Sequence, residues 1–211
     1  MIERAKIYAK ELMESDSSGH DYFHALRVLH LAEQIATREK NVDMELVQLM
    51  AILHDVDDRK LSPDAAENLD RARAFLDENG VSQERIELIV SGIKQISFKA
   101  NDSVSPDTIE GKCVQDADRL DAIGAIGIAR TFAFGGSRGS LMYDPEKPPR
   151  LNMDAEVYAT NRSHTINHFY EKLLLLKDLM NTETGKQMAE HRHHFMELFL
   201  EEFYAEWEGK L

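Results

Sequence analysis

The sequence predicts an all-α fold, a compact multi-helix bundle with one buried helix at its centre, on three observations. Apolar residues recur every three or four positions along nearly the whole of the 211-residue chain, the spacing that lines one face of a helix. No stretch alternates apolar and polar residues as a half-buried strand does, and no Asn-Gly pair sits between strand-like flanks. The run from Met44 to Leu53 is apolar on nearly every side, as a helix surrounded by other helices requires.

Each element follows from local signals. Ile2, Ala5, Ala9, Leu12 and Met13 form one face of a first helix. The pattern resumes after Gly19 through Val28, Leu31, Ala32 and Ile35, and Asp43 precedes the central run. Ser62-Pro63-Asp64 reads as a helix start with proline in the first turn, and Asn79-Gly80 as the stop of that helix. Ile86, Ile89, Val90, Ile93 and Ile96 make one stripe of a helix that begins after Ser82. A further helix is expected to open at Asp118, to begin at Arg119 and to carry Leu120, Ile123, Ile126 and Ala129. Its Gly124, Ala125 and Gly127 suit close approach of another backbone. Phe134 to Arg150 has the Gly and Pro content of a long loop, a lid or a surface segment. Helices return over 168–180 and 186–207.

Composition bounds the function. The chain has 25 Lys+Arg against 38 Asp+Glu, a net charge of −13, with 43% hydrophobic and 30% charged residues, which describes a soluble globular protein rather than a disordered one. At about 100–200 residues per domain, residues 1–211 read as a single domain, since no boundary, repeat or low-complexity tract divides them. The charge repels nucleic-acid backbones, so no nucleic-acid partner is expected. A bound metal or a few arginines can still reverse the sign locally for a small anionic substrate. Cys113 is the sole cysteine, which excludes an intramolecular disulfide and fits a reducing compartment. Residues 1–6 mix charges without a secretory apolar region, and no window reaches the roughly 18 apolar residues of a spanning helix. The expectation is a cytoplasmic protein with no membrane partner.

His24, the pair His54-Asp55, and Asp118 are hard or borderline donors. Adjacent helical residues point about 100° apart, so His54 and Asp55 reach one ion only near a helix flank, with other helices completing the shell. They also end a run too apolar to leave a charge unpaired at low cost. Three motifs carry these residues: His20-Asp21-Tyr22-Phe23-His24-Ala25-Leu26-Arg27-Val28, Ala51-Ile52-Leu53-His54-Asp55-Val56-Asp57-Asp58, and Gln115-Asp116-Ala117-Asp118-Arg119-Leu120-Asp121-Ala122-Ile123-Gly124. In that order the chain resembles the HD-domain metal-dependent phosphohydrolase superfamily, whose ligand pattern is His, His-Asp, Asp. More narrowly it is similar to the branch of small, single-domain bacterial HD hydrolases, through Ile96-Ser97-Phe98-Lys99 and His168-Phe169-Tyr170-Glu171-Lys172-Leu173 as well. The resemblance implies an all-helical HD-domain bundle, one divalent metal ion held by His24, His54, Asp55 and Asp118, and hydrolysis of a phosphoester or phosphoanhydride.

Dinuclear branches of that superfamily recruit further histidines before the final Asp, and residues 56–163 here contain none. One ion per chain is therefore expected, with two octahedral positions open for water and substrate, which suits Mn, Mg, Co, Ni or Fe. Asp58 lies four residues beyond His54 and three beyond Asp55, so on one helical face it serves as general base or orienter, or pairs with Arg59 or Lys60. Asp57 is assigned to the surface. Asp21 is expected to cap a helix, with His20 beside the ligand. Asp121, one turn beyond Asp118, orients a ligand or accepts from a ribose hydroxyl. Arg27 binds phosphate or pairs with a carboxylate such as Asp55. Lys99 and Lys172 lead the candidates for the remaining phosphoryl oxygens, ahead of Lys94, Arg130 and Arg138. The cluster His191-Arg192-His193-His194 spreads around a helix and reads as a polar face rather than a second metal site. Residues 135–139 lack the Gly-Lys-Ser/Thr of a P-loop.

The function expected is metal-dependent hydrolysis of a small phosphorylated metabolite, a nucleotide, by water activated at the metal and attacking phosphorus. Cleavage of a nucleoside triphosphate to monophosphate and pyrophosphate is preferred, over a nucleoside 5'-monophosphate phosphomonoesterase. From another class, a metal-dependent nucleotide sensor without turnover is the rival. Helical surfaces pair readily, so a homo-oligomer is allowed, but no heptad register and no visible apolar stripe specify one.

Overall fold

Several helices in this chain start where a polar cap meets an apolar stripe. Asp43 Oδ1 accepts from the amides of Glu45 and Leu46 at 3.1 and 3.2 Å, Thr108 Oγ1 from Gly111 at 3.1 Å, and Thr182 Oγ1 from Gly185 at 3.0 Å. Each satisfies an amide that the first helical turn leaves without a partner. A computed structural model describes residues 1–13, 21–57 and 68–211. Among these the order is α1 (Ile2–Met13), α2 (Tyr22–Ala36), α3 (Met44–Leu53), α4 (Asp70–Glu78), α5 (Gln83–Lys94), α6 (Ile109–Asp121), α7 (Gly124–Ser137), α8 (Ala155–Thr160), α9 (Asn167–Glu171) and α10 (Glu183–Trp207). Short 3-10 segments lie at Ala100–Asp102 and Leu173–Leu179. No strand occurs among the described residues, and none of their helices is long and apolar enough to cross a membrane.

The predicted central helix is α3. Leu46, Val47, Leu49, Met50, Ala51, Ile52 and Leu53 are all buried, and α1, α2, α5 and α6 surround it. Gly92 of α5 lets the two helices approach, because a methyl group there would meet the Met50 thioether at 2.7 Å. The stripe from Ile86 to Ile96 is buried as expected, and Asn79 and Gly80, with φ +74°, end α4. One apolar cluster runs from Ala5 to Leu200.

Several expectations need correction. The helix assigned to begin at Arg119 is two helices: Asp118 lies near the end of α6, and the chain turns at Ala122 and Ile123 into α7. Gly124 makes that turn with φ +75°, a conformation that a side chain resists. Ile126, placed with Leu120 and Ile123 on the expected helix, is exposed while those two are buried. Gly135 and Gly136 belong to α7, so the long loop starts only at Arg138. That loop is pinned: the carbonyls of Leu141 and Met142 accept from Thr165 and Ile166 at 2.9 and 3.1 Å, and Glu171 accepts from the Arg150 amide at 3.0 Å. Tyr143 meets Trp207 edge-on, 5.1 Å between ring centres, beside Phe203 and Tyr204. The helix expected over 168–180 is α9 followed by a 3-10 segment. Asp57, assigned to the surface, is buried and accepts from the amides of Arg71 and Ala72 at 3.1 and 2.9 Å, capping α4. The start at Ser62-Pro63-Asp64 lies outside the described residues, as do His20 and Asp58.

Candidate metal centre

Three helices bring four predicted donors to one point. Asp21 accepts from the His24 amide at 2.8 Å and starts α2, so His24 stands one turn in and is fully buried. His54 follows the last residue of α3 and Asp55 the next turn, while Asp118 comes from the last turn of α6. His54 Nε2 lies 3.3 Å from His24 Nε2. Asp55 Oδ2 is 3.4 Å from both of those nitrogens, and Asp118 Oδ1 is 3.4 Å from His24 Nε2 and 3.9 Å from His54 Nε2. Bonds of about 2.1 Å to a shared cation put neighbouring ligands about 3.0–3.4 Å apart, so the four atoms are spaced as a coordination shell. Among the described residues, His24, His54 and Asp55 are the one group of three His, Cys, Asp or Glu side chains whose ligand atoms all lie within 4.8 Å of one another. Asp118, with 25% of its side chain exposed, faces the open side.

The far side of each imidazole decides what the near side offers. His54 Nδ1 lies 2.8 Å from the carbonyl of Ala51, which can only accept, so that nitrogen carries the proton. His24 Nδ1 lies 2.7 Å from Asp121 Oδ2. With both Nδ1 atoms donating, two lone pairs on Nε2 converge and cannot bond each other; a cation between them satisfies both. Two neutral imidazoles and two carboxylates balance a divalent charge.

The electrostatics agree. Burial acts to lower the His24 pKa, but hydrogen bonds with Asp118, Asp121 and Asp55 outweigh it and raise it to about 10. His54 moves upward too, since the charge and hydrogen bond of Asp55 overcome its burial. Burial acts to raise Asp118, yet the hydrogen bond with His24 and the charges of His54 and His24 bring it down to about 2. The field that favours protonated imidazoles is the field that favours a metal ion in their place.

Asp121 is the hub behind the ligands. It is 2% exposed, and besides His24 it accepts from Arg27 Nε at 2.7 Å on Oδ1, and from Arg27 Nη2 at 3.1 Å and Arg130 Nη1 at 2.7 Å on Oδ2. Burial opposes its ionisation, but the hydrogen bonds of His24 and Arg27 and the charge of Arg130 hold it well below the usual carboxylate range. Both oxygens of Asp121 are thus engaged by these donors. Arg27 pairs with Asp121, not Asp55, and Arg130 is spent on the same carboxylate. Lys99 is exposed, and Lys172 Nζ lies 5.2 Å over the ring of Phe98, the neighbour of Lys99. Two segments far apart in sequence thus meet at one ring. Arg138 lies over Phe134, and Lys94 is exposed on α5. His193 and His194 turn to Glu197 at 3.3 and 3.6 Å. Sequence reasoning missed the joining of Arg130 to Asp121, nine residues apart across a helix break that periodicity did not show.

Residues 21–123, which contain all four donors, match the HD domain family. The crystal structure of an HD-superfamily hydrolase from Bacillus thuringiensis is 42% identical, covers 98% of this chain and 96% of its own, and superposes with a TM-score of 0.75. The chain belongs to the HD-domain phosphohydrolase superfamily. Other solved structures match over the same length. A Lactobacillus plantarum protein is 39% identical over 99% of this chain and 97% of its own, with a TM-score of 0.88. Bacillus subtilis YpgQ, solved in complex with ADP, is 34% identical over 98% and 97%, with a TM-score of 0.76. As a member of the HD superfamily the chain is a metal-dependent hydrolase, and its His-His-Asp cluster fits a divalent ion.

Proposed function

We propose that the protein hydrolyses a nucleotide with one divalent ion per chain, held by His24, His54, Asp55 and Asp118, and that a nucleoside triphosphate is cleaved to monophosphate and pyrophosphate. The observation that carries this reading is the convergence of two Nε2 lone pairs and two carboxylates at 3.3–3.9 Å. The ADP found with YpgQ supports the nucleotide class. An ion there supplies a Lewis acid that lowers the pKa of water and withdraws charge from a phosphoryl oxygen.

The chain's own groups do the rest. Asp121 keeps the proton on His24 Nδ1, and the Ala51 carbonyl keeps it on His54, so each ring presents its lone pair. Asp58, three residues beyond Asp55, takes the proton of the attacking water. Arg27 and Arg130 hold Asp121 in place rather than touching substrate. Lys172, which lies over the ring of Phe98, and Lys99 are assigned to balance charge on the distal phosphates. We read residues 1–211 as one domain because a single apolar cluster spans Ala5 to Leu200.

The test is product identification by chromatography, using protein stripped of metal, reloaded with Mn, Mg, Co or Ni, and incubated with ribo- and deoxyribonucleotides. Monophosphate with pyrophosphate is expected. Nucleoside with phosphate would replace the reading by a phosphomonoesterase, and binding without turnover by a sensor. Asp58→Asn should cut turnover about 100-fold or more while metal affinity holds; full activity would remove Asp58 from the mechanism.

A further inference from the structure

Gln115 stands three residues before Asp118 on α6, so the two share a face of that helix. Asp118 belongs to the metal centre, whereas Gln115 is wholly buried beside it and serves a different set of atoms. Its Nε2 donates to the carbonyls of Gln95 and Val104 at 2.6 and 2.8 Å, with that of Ile96 at 3.4 Å, and its Oε1 accepts from Asn181 Nδ2 at 2.9 Å. The Gln95 and Ile96 carbonyls follow directly on α5, at a helix end where carbonyls have no partner within the helix. Val104 lies on the far side of the turn that comes next. One side chain therefore ties the two ends of the segment 96–104 to each other and both of them to α6. A second pair of bonds closes the same neck: Gln95 Nε2 donates to Asp107 Oδ2 at 2.7 Å, and the Asp107 amide donates to Gln95 Oε1 at 3.1 Å. Asn181 is itself held, accepting from Ser105 Oγ at 2.6 Å and donating to Asp116 Oδ1 at 2.8 Å.

The segment closed by this neck carries the groups that lie apart from the metal ligands. Lys172 Nζ sits 5.2 Å from the centre of the Phe98 ring, and Tyr158 of α8 meets the same ring edge-on at 5.4 Å. The Asn101 amide donates to the Met153 carbonyl at 3.2 Å, and Asp102 accepts from the Ala155 amide at 2.8 Å, so α8 is docked on the same turn. Lys99 follows Phe98 directly. The placing of all these groups relative to Asp118 thus runs through one amide, one helical turn from the ligand. Apolar packing at the neck would bury as much surface but would let the segment slide, because it has no direction. Hydrogen bonds to fixed carbonyls admit one register.

We infer that Gln115 is a positioning residue for the phosphate-binding side of the site, fixing the 96–104 segment, with Phe98, Lys99 and the Lys172 seated on Phe98, in register with Asp118. The inference rests on the assignment of Lys99 and Lys172 to the distal phosphates. Gln115→Met keeps the length of the side chain and removes its donors, and the bonds to Gln95 and Val104 are only partly buried, so water relieves those carbonyls. The experiment is calorimetric titration of the Mn-loaded full chain with α,β-methylene adenosine triphosphate, whose α–β bridge resists hydrolysis, and with AMP. The wild type is expected to bind the triphosphate more tightly. In Gln115→Met the Kd of the triphosphate should rise about tenfold, the scale of one charge-assisted contact, while those of AMP and Mn stay within twofold. A role in stability alone would move all three together or none. Added to Lys172→Met, the same substitution should cost less than it does alone, because both act on one contact. A wild type that binds the two nucleotides equally refutes the lysine assignment, and the inference with it, before any variant is made. A wild type that prefers the triphosphate, with a folded Gln115→Met of unchanged preference or full additivity with Lys172→Met, overturns the inference alone. Should circular dichroism show Gln115→Met unfolded, Phe98→Leu, which leaves the neck intact, decides: the same selective loss upholds the inference, and an unchanged preference overturns it.

Discussion

Replacing Asp121 by Asn tests whether the metal centre is held from behind. The carboxylate serves three donors at 2.7 Å: His24 Nδ1, Arg27 Nε and Arg130 Nη1. An amide of the same size keeps one acceptor oxygen and turns an NH₂ toward the remaining donors, so whichever way it settles, one or more donors lose their partner. Arg27 and Arg130 keep 34% and 18% of their side chains in solvent, so water relieves them and the fold survives. His24, fully buried, has no such relief and loses the anion that fixes its proton on Nδ1. Loss of such a buttress costs about 10–100-fold in metal affinity, or about 1.4–2.7 kcal/mol. Calorimetric titration of metal-free protein with Mn is the assay, with circular dichroism confirming the fold. Affinity within twofold of wild type, in a folded variant, would refute the argument that Asp121 sets the state of His24.

Other outcomes follow from the same geometry. A saturating divalent ion should raise the melting temperature of the wild type, by about 2.7 kcal/mol of linkage at one hundred times the dissociation constant, and Asp55→Ala should abolish that rise in a thermal-shift titration. Asp57→Ala should cost about 1–2 kcal/mol of stability in urea, because two amides at the start of α4 lose their acceptor, while metal affinity is unchanged. Burial, aided by the charge of Lys172, lowers His168 from 6.5 to about 3. The unfolded chain therefore binds this proton and the folded one does not between those values, so its contribution is complete above pH 6.5 and is lost as pH falls toward 3. His168→Gln should flatten that part of the stability curve, measured by urea unfolding across the range, and an unchanged acid limb would show that His168 does not contribute to it.

What could be read in advance was local. The stripes of α1, α2, α3 and α5 are set by neighbours three and four residues away, so periodicity found them, and the resemblance of three motifs to the HD pattern pointed to His24, His54, Asp55 and Asp118, which the fold brings together. The break between α6 and α7 was hidden because Leu120 and Ile123 keep helical phase across it. What interrupts them is the positive φ of Gly124, against which the Arg192 side chain packs, with its Cβ and Cγ 3.1 Å from where a methyl group would stand. Asp57 was misread for a similar reason: its partners are amides at 71 and 72, beyond any helical repeat. The meeting of Arg27 and Arg130 on Asp121 was not legible, because nothing in the sequence says that Asp121 and Arg130 face each other across the turn. The closing of the loop after α7 is likewise a long-range event: Tyr143 meets α10, and the backbone at 141–142 bonds to Thr165 and Ile166.

That closing gives the molecule a built-in optical probe. Trp207 is the sole tryptophan of the chain, half exposed at the end of α10, with Tyr143 of the loop edge-on to it and Phe203 stacked beneath at 6.0 Å. Any movement of the loop strips the indole of one aromatic wall and wets it. Emission from one residue, without a label, therefore reports the loop's position while nucleotide or metal is added elsewhere, and separates local opening from global unfolding in a single cuvette.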